Sequence, residues 1–459
     1  MNELRRDLLK YISTGSATVL LRSVVSGIPA AALLTMSAPS MAANSRNEEA
    51  MPPQFLMFSM RTEGDPMNIN CPGSYDSGVD VVVNNPSPKL APVEVSLGGQ
   101  IHRASTPWST LPQWALDRTA FIHHRTYQGI HSQFGNVMEM VGKTRGPEGE
   151  ANFPDHLSSI ISHAMAEPDR FGTIQSRPIR FGGGGVKYQN QSVQEMSPSA
   201  LQSLFDAPSG VEKQLQDLRD QEVNKFSDML KQTGNKKASK SQTLWLDQHI
   251  RSKEELRSLN IQLLEGFTKI NSGDLHDQID AALLCFKLNL SSVATIGIPF
   301  GGDNHNDEDW ENEINGTISG CNDMTYFFNR IEAEGLKDQV TLANLNVFGR
   351  TFRQIRTGRS HNAEHHMMAI TGANINPGVI GGLMQIGSDA GATGINSLSG
   401  ASTNSGDIPA TETLESAAKT LAFAVGVSKT VINTRIQAKG ENSQGAPVGK
   451  IIHAAIKNT

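Results

Sequence analysis

Carboxylates and imidazoles occur in this sequence at spacings that suit metal binding. Asp303 and His305 are separated by one residue in the segment Phe300–Asp307, which follows the apolar run Ser292–Ile298. An aspartate and a histidine placed in this way after a strand can both bind one ion, such as zinc or another hard-to-borderline cation. Because further acidic residues follow directly, a solvated acidic loop is the alternative interpretation.

A histidine cluster, His361, His365 and His366, lies in the stretch Leu342–Gly382. An apolar run precedes the cluster and ends in Phe-Gly-Arg-Thr, and a shorter apolar run follows it. The pattern predicts a buried strand whose carboxyl end delivers polar residues to a site, and a second strand that brings the imidazoles back to the same place. Open α/β sheets bind ligands at the carboxyl ends of their strands.

Two further segments place polar residues next to predicted structure. Asp65 follows the short apolar run Gln54–Met60, so it is either a metal-ligating carboxylate at the sheet edge or an Asp-Pro turn residue. His131 and Ser132 open a helical pattern, where free N–H groups and the helix dipole favour anions. Ser132 is therefore either a nucleophile or oxyanion binder, or an ordinary N-cap.

The composition suits a soluble α/β protein. The chain has 459 residues, a formal net charge of −6 and 38% hydrophobic residues. This size allows one large domain or two lobes. The mild negative charge argues against nucleic acid as a partner. Three widely spaced cysteines predict small core residues, or one disulfide after export.

Apolar runs of strand length alternate with helical patterns along the chain. Strands are predicted at Gln54–Met60, Asp117–Arg125, Ser292–Ile298 and Val340–Val347, and helices at Asp155–Ala166, Trp310–Glu334 and within Pro409–Val427. Consecutive strands joined by a helix are expected to be parallel. His123 and His124 alternate on their strand, so only one of them can face the site. Residues 73–110 predict a long surface excursion, and residues 205–275 predict a helical hairpin insertion.

The amino terminus has the features of an export signal. Arg5 and Arg6 precede the weakly apolar region Tyr11–Met36, and Ser-Met-Ala at 40–42 offers a cleavage site. Paired arginines before such a region are typical of the twin-arginine route. Residues 1–43 are therefore predicted to be a signal peptide that sends the chain to the periplasm or otherwise out of the cell. Because charged, Gly and Pro residues interrupt the apolar region, we expect no stable membrane span; an uncleaved amphipathic anchor is the alternative.

The order of the motifs over residues 50–430 resembles an exported bacterial family called domain of unknown function 1501. The motifs are, in order, RTEGDPMN after the first strand, HSQ at a helix start, GGDNH, FGRT, GRSHNAEHH and GANINPGVIGG. That family is placed with the alkaline phosphatase and sulfatase superfamily. The resemblance implies one α/β domain over residues 44–459, with a mostly parallel central sheet and helices on both faces. It also implies a divalent metal ion (zinc, magnesium, manganese or calcium) and an anionic small molecule or glycan ester as the partner.

The resemblance assigns metal-binding roles to individual residues. Asp65 matches the first-strand aspartate, a metal-ligand position in the superfamily. Asp303 and His305 match an Asp-Thr-His pair, and His361 matches the histidine that follows Gly-Arg-Asp. His365, from the same histidine cluster, is a further candidate ligand.

The resemblance also implies catalytic roles. His131 and Ser132 lie where the superfamily has its nucleophile and neighbouring residues. Arg350 or Arg359 is the candidate for holding an anionic ester through a bidentate fork. The implied reaction is hydrolysis of a phosphate or sulfate ester, assisted by a divalent ion.

Several positions depart from the family pattern. Asn304 replaces Thr, Ser360 replaces Asp, and Asn346-Val347 replaces Ser-Glu. Val347 cannot bind a cation, so a second metal site centred on Asp65 is expected to be weakened. Two classes therefore follow: a metal-dependent ester hydrolase, or a catalytically degenerate protein of the same fold that binds a metal, a glycan or a protein.

Overall fold

A computed structural model describes residues 53–59, 63–75, 77–140, 155–166, 177–198, 218, 221, 225, 270, 273–288, 290–355, 357–436 and 448–457. The predicted signal peptide and nearly all of the predicted helical hairpin insertion lie outside these residues. Both therefore stay predictions.

The described part contains seventeen strands and eight helices, together with short 3-10 turns. The strands are β1 (Gln54–Phe58), β2 (Pro92–Leu97), β3 (Gln100–Ser105), β4 (Thr119–His124), β5 (Ile179–Arg180), β6 (Lys187–Tyr188), β7 (Gln191–Ser192), β8 (Val293–Ile296), β9 (Val340–Asn344), β10 (Gly349–Arg350), β11 (His361–Asn362), β12 (His366–Thr371), β13 (Gly378–Ile380), β14 (Leu383–Ile386), β15 (Asp389–Ala392), β16 (Gly394–Ile395) and β17 (Ser402–Thr403). The helices are α1 (Met67–Asn70), α2 (Gln113–Leu116), α3 (Phe134–Met138), α4 (Leu157–Met165), α5 (Leu275–Lys287), α6 (Glu311–Ala333), α7 (Thr413–Ala424) and α8 (Lys429–Arg435).

A seven-stranded mixed sheet forms the centre, in the order β13-β4-β12-β9-β1-β8-β5. All neighbouring pairs are parallel except those made by β12, which is antiparallel to both β4 and β9. Because β12 runs in the opposite direction, its first residue, His366, lies at the edge where the parallel strands end. This confirms the predicted α/β class with a mostly parallel sheet. It also places the imidazoles at the predicted edge.

Helices cover both faces of the sheet, as predicted. Along β1, Leu56 and Phe58 belong to one apolar cluster together with residues of α5 and α6. Phe55 and Met57 belong to a second cluster together with residues of α4 and α7. This alternation follows from the strand period of two residues. The continuously apolar β1, buried at every position, is typical of a parallel strand covered on both sides.

The predicted strands and helices are confirmed within a few residues at each end. The strand-helix-strand unit predicted around α6 is present: β8 and β9 both pair in parallel with β1, which lies between them. The predicted strand Val340–Val347 ends earlier, at Asn344, although the N–H of Leu345 still donates to the carbonyl oxygen of Phe58 in β1 at 3.1 Å.

Residues 73–110 were predicted to form a long surface excursion, but they include a β-hairpin that packs on the core. Strands β2 and β3 form an antiparallel hairpin in this region. Leu97 and Trp108 are fully buried in the cluster that also contains α5 and α6. The Pro- and Gly-rich composition concealed the alternation of buried residues in β2, which indicates a half-buried strand.

Two further predictions concern the cysteines and a membrane span. Cys71, Cys285 and Cys321 are all free and buried, so they are core residues in this structure, as the first of the two interpretations predicted. Within the described ranges, none of the helices combines the length and apolarity that a bilayer crossing requires.

Candidate metal centre

Asp303, His305 and His361 converge on one point. Each offers a ligand atom, and these atoms all lie within 4.8 Å of one another. The two Nε2 atoms of His305 and His361 are 2.9 Å apart, and His305 Nε2 is 3.4 Å from Asp303 Oδ1. The loop after β8 supplies the first two residues and β11 supplies the third. Two imidazoles and a carboxylate are a donor set that proteins use for catalytic zinc, with further positions left open.

The ring of His361 is held in one orientation. Its Nδ1 is 2.7 Å from the carbonyl oxygen of Gly129. Because a carbonyl only accepts, Nδ1 carries the proton and Nε2 presents its lone pair to the centre. The Phe348 ring stacks on the imidazole at 4.0 Å. Burial, together with the nearby Arg350, lowers the pKa of His361, which keeps the ring neutral and able to bind a cation.

Arg350 contacts Asp303 from the interior of the protein. Its side chain is fully buried, whereas that of Asp303 is 47% exposed. Nη1 is 3.2 Å from Asp303 Oδ1, and Nη2 donates to the carbonyl oxygen of Glu63 at 2.6 Å. Partial burial would raise the pKa of Asp303, but the charges of Arg350 and His305 hold it below its ordinary value. Arg350, which was predicted to hold an anionic ester, therefore contacts the carboxylate of Asp303.

His131 forms part of the wall of the centre. It lies in a 3-10 turn, His131–Gln133, that follows β4 and precedes α3. Its ring centroid is 4.6 Å from that of His361 and 5.2 Å from that of Phe348. Ser132, the next residue in the turn, is exposed. The structure thus brings His131 to the centre, and the nucleophilic role of Ser132 stays a prediction.

Asp65 lies in a separate, buried group. Its Oδ1 accepts from the backbone N–H of Met67 at 2.9 Å and lies 3.3 Å from His366 Nε2. Its Oδ2 accepts from Asn346 Nδ2 at 2.5 Å. Burial alone would raise the pKa of Asp65, but His366 and these hydrogen bonds hold it below its ordinary value. Among the described residues, Asp65 is not part of the group that could hold a metal.

His365 also lies away from that group. Its Nδ1 is 3.2 Å from Asn68 Nδ2, and its Nε2 is 2.8 Å from His123 Nδ1. His124 lies on the opposite face of β4, where its ring is 5.7 Å from that of His366. The two neighbouring histidines therefore point to opposite faces, as their alternation predicted. Both ring nitrogens of His365 are occupied by protein partners.

Arg359 connects the two segments that supply the candidate metal ligands. Its backbone N–H donates to the carbonyl oxygen of Asn304, which lies between Asp303 and His305. Its guanidinium donates to both carboxylate oxygens of Glu313 in α6, at 2.5 and 3.3 Å. The remaining donors bind three backbone carbonyls, those of Val83, Thr351 and Phe352. Because all five guanidinium N–H groups are used, Arg359 has none left for an ester.

The acidic residues after His305 also have structural partners. Asp307 is buried and accepts from the backbone N–H groups of Asn312 and Glu313 in the first turn of α6. Asp309 accepts from the N–H of Glu311. Part of the acidic run therefore stabilises the start of a helix, where negative charge is favourable.

Sequence reasoning missed Gly129, Asn68 and Glu313. A backbone carbonyl leaves no residue-type signal, and a Glu in the first turn of a helix is common for reasons unrelated to a site. The motif FGRT did signal Phe348 and Arg350. Comparison of the chain with models of protein families, with curated proteins and with solved structures finds no match.

Proposed function

We propose that this protein is a metal-dependent hydrolase of phosphate or sulfate esters, with a fold of the alkaline phosphatase and sulfatase type. The observation that carries the proposal is the convergence of Asp303, His305 and His361 at the edge where the parallel strands end. The motif resemblance, which includes the same three residues, also supports it. Ligands of open α/β sheets bind at this edge.

Zinc fits the donor set better than the other divalent ions. Two of the three ligands are imidazoles, which suit zinc, whereas magnesium and calcium prefer oxygen ligands. A zinc ion would polarise an ester oxygen and lower the pKa of a bound water or hydroxyl. In this proposal, burial and Arg350 keep His361 neutral, the Gly129 carbonyl fixes its tautomer, and Arg350 keeps Asp303 ionised and oriented.

The remaining roles concern the substrate. Ser132 is the proposed nucleophile, since it is exposed and directly follows His131 in the wall of the centre. The positive charge of Arg350 favours an anionic ester, although its burial makes it an indirect influence through Asp303. The proposed substrate is therefore an anionic small molecule or a glycan ester.

Metal content tests the proposal. The mature protein, purified without chelator, is expected to carry about one zinc ion per chain by elemental mass spectrometry. His305→Ala is expected to lose that ion. His276→Ala is the matched control, because His276 lies on α5 and stacks on Tyr326. Zinc-dependent hydrolysis in a panel of phosphate and sulfate esters, lost in His305→Ala, would support the catalytic part. Activity that survives both a chelator and His305→Ala would contradict it.

A second candidate is a catalytically degenerate protein that keeps the metal centre for binding. The observation that favours it concerns Asp65 and Val347. Both oxygens of Asp65 have protein partners, and Val347 is fully buried in an apolar cluster. A two-metal clamp on the ester would then be missing. One bound zinc ion together with no hydrolysis of any ester in the panel would favour this candidate.

We also infer that the chain is exported by the twin-arginine route. The support is Arg5-Arg6 before a weakly apolar region and a small-residue cleavage site. Replacing both arginines with lysine is expected to leave the protein in the cytoplasm in a fractionation experiment. Export that is unchanged in this variant would contradict the inference.

A further inference from the structure

A chain of buried hydrogen bonds leads from the interior of the sheet to Asp303. Its central member is the side chain of Asn68, which forms two hydrogen bonds with the main chain of Arg350. Asn68 Nδ2 donates to the carbonyl oxygen of Arg350 at 2.9 Å, and Asn68 Oδ1 accepts from the Arg350 N–H at 2.8 Å. The Arg350 carbonyl can only accept and the Arg350 N–H can only donate. These two groups therefore determine the positions of Nδ2 and Oδ1 in the Asn68 amide.

Gly349 allows this close approach. A Cβ at that position would lie 2.6 Å from Asn68 Oδ1 and 2.4 Å from the carbonyl oxygen of His365. Any side chain there would push Asn68 away from the Arg350 main chain. The glycine of the Phe-Gly-Arg-Thr motif therefore serves the contact between Asn68 and Arg350.

Two histidines hold Asn68 from the other side. Asn68 Nδ2 can only donate, so His365 Nδ1, at 3.2 Å, accepts. For a neutral ring, His365 Nε2 then carries the proton and donates to His123 Nδ1 at 2.8 Å. Asn68, His123 and His365 are all fully buried. Each hydrogen bond in the series fixes the direction of the next one.

The guanidinium of Arg350 completes the path. Its Nη1 reaches Asp303 Oδ1, and its Nη2 is anchored on the carbonyl oxygen of Glu63. Asp303 itself is half-exposed, so burial does not fix its carboxylate. The Arg350 guanidinium therefore orients Asp303, together with a longer hydrogen bond from the backbone N–H of His305 to Asp303 Oδ1 at 3.4 Å.

We propose that Asn68, His365 and His123 are positioning residues of the metal centre: they fix the main chain of Arg350, whose guanidinium orients Asp303 toward His305 and His361. This inference rests on the proposed metal centre. Outer partners of this kind change metal affinity by about 10- to 100-fold when they are removed. His365, a candidate ligand from the sequence, acquires a supporting role instead.

The test compares two matched asparagines. Asn344 in β9 likewise makes two main-chain hydrogen bonds, although to two residues: its Nδ2 donates to Met367 O at 2.8 Å, and its Oδ1 accepts from Ala369 N–H at 2.6 Å. Asn344 is buried as well, but its contacts lie within the sheet. Asn68→Asp and Asn344→Asp thus make the same chemical change, and each removes the donor while keeping the acceptor. Both variants and the wild type are titrated with Co²⁺, and the d–d absorption spectrum and Kd are measured.

We expect Asn68→Asp to bind Co²⁺ at least tenfold more weakly than Asn344→Asp, with a changed d–d spectrum, while both lose thermal stability. Equal affinity and identical spectra in the two variants would overturn the positioning role and leave the metal centre standing. A wild type that does not bind Co²⁺ would overturn the proposed metal centre, and this inference with it. If Asn68→Asp does not fold, His365→Phe replaces it, because it keeps a ring but removes the acceptor for Asn68. An unchanged spectrum and affinity in His365→Phe would likewise overturn the inference.

Discussion

The carboxylate of Glu313 accepts two hydrogen bonds from the guanidinium of Arg359, and neither side chain is exposed. Glu313 belongs to α6, which follows the loop of Asp303 and His305, whereas Arg359 lies two residues before His361. The guanidinium also lies 4.7 Å from the centre of the Trp310 ring. This ion pair therefore joins the two segments that supply the candidate metal ligands.

Arg359→Lys is expected to destabilise the protein and to weaken metal binding. Lysine keeps the charge but has three donors where Arg359 uses five, so buried acceptors lose their partners. Breaking a buried ion pair costs about 3–5 kcal/mol, and partial retention of the charge places the expected loss of unfolding free energy at roughly 3 kcal/mol. Chemical denaturation and a Co²⁺ titration measure the two effects; the affinity loss is expected to be about tenfold.

Arg330→Lys serves as the control for that substitution. Arg330 lies in the same helix and pairs with Asp280 at 2.6 Å, but this pair is partly exposed. Its loss should cost about 1 kcal/mol or less and leave metal affinity unchanged. If Arg359→Lys behaves like Arg330→Lys, the backbone hydrogen bond from Arg359 to Asn304 is sufficient to hold the two segments.

Asp65→Asn is expected to reduce stability without removing the metal from the centre. The substitution removes the negative charge of Asp65 and places an amide where Met67 N–H, Asn346 Nδ2 and His366 Nε2 now surround a carboxylate. A loss of roughly 2–4 kcal/mol in unfolding free energy is expected. Asp338→Asn, at an exposed surface ion pair, is the control and should cost under about 1 kcal/mol. A fall in bound metal from two ions to one in Asp65→Asn would instead make Asp65 a ligand, as the motif resemblance implies.

Acid is expected to destabilise the protein through its buried histidines. Burial lowers the pKa of His123 to about 4 and that of His124 to about 3. In the unfolded chain, imidazoles take up protons near pH 6.5, so below that pH the unfolded state binds more protons than the folded state. The unfolding free energy should therefore fall as the pH drops from 6.5 toward 4, by up to about 1.4 kcal/mol per pH unit for each histidine.

The variant His124→Phe tests this expectation. It keeps a ring at a position where the histidine Nε2 finds no hydrogen-bond partner within the described part of the chain. The slope of unfolding free energy against pH between 4 and 6.5 should decrease by the contribution of one proton. His163→Gln, at an exposed site, should leave the slope unchanged. Identical slopes in wild type and His124→Phe would show that His124 does not control the acid response.

Much of the fold could be predicted because the strands are short, buried and apolar, and β1, β8 and β9 are separated by clear turn and helix signals. Asp303 and His305 could be singled out because they stand one residue apart after a strand, and His361 because of the motif resemblance. The separate roles of the other polar residues could not be predicted from the sequence. Asp65, His365 and Arg359 have the right chemistry for a site, but long-range partners such as Asn346, Asn68 and Glu313 determine what each one does. Those partners are between 46 and 297 residues away along the chain, and no local pattern connects them.

Glu415→Gln is expected to stabilise the protein, and the gain should grow with pH. Glu415 lies in α7 and is fully buried, and among the described residues no hydrogen-bond partner is found for its carboxylate oxygens. Burial raises the pKa of Glu415 to about 8. The folded state therefore holds a proton that the unfolded chain releases near pH 4.5. Because the folded state binds more protons in this window, the unfolding free energy should fall as the pH rises from about 4.5 to about 8.

Glutamine at position 415 is neutral at every pH and removes this dependence. The variant should match the wild type near pH 5 and exceed it by up to about 3 kcal/mol near pH 8.5. Lys419, one turn along α7, limits the gain, because its ammonium partly offsets the charge of an ionised Glu415. Urea denaturation at several pH values measures the difference, and Glu94→Gln, at an exposed position of β2, is the control. A stability difference between Glu415→Gln and wild type that is constant from pH 5 to 8.5 would mean that Glu415 is ionised in the folded state as it is in the unfolded chain, since only a proton taken up on folding makes the gain depend on pH.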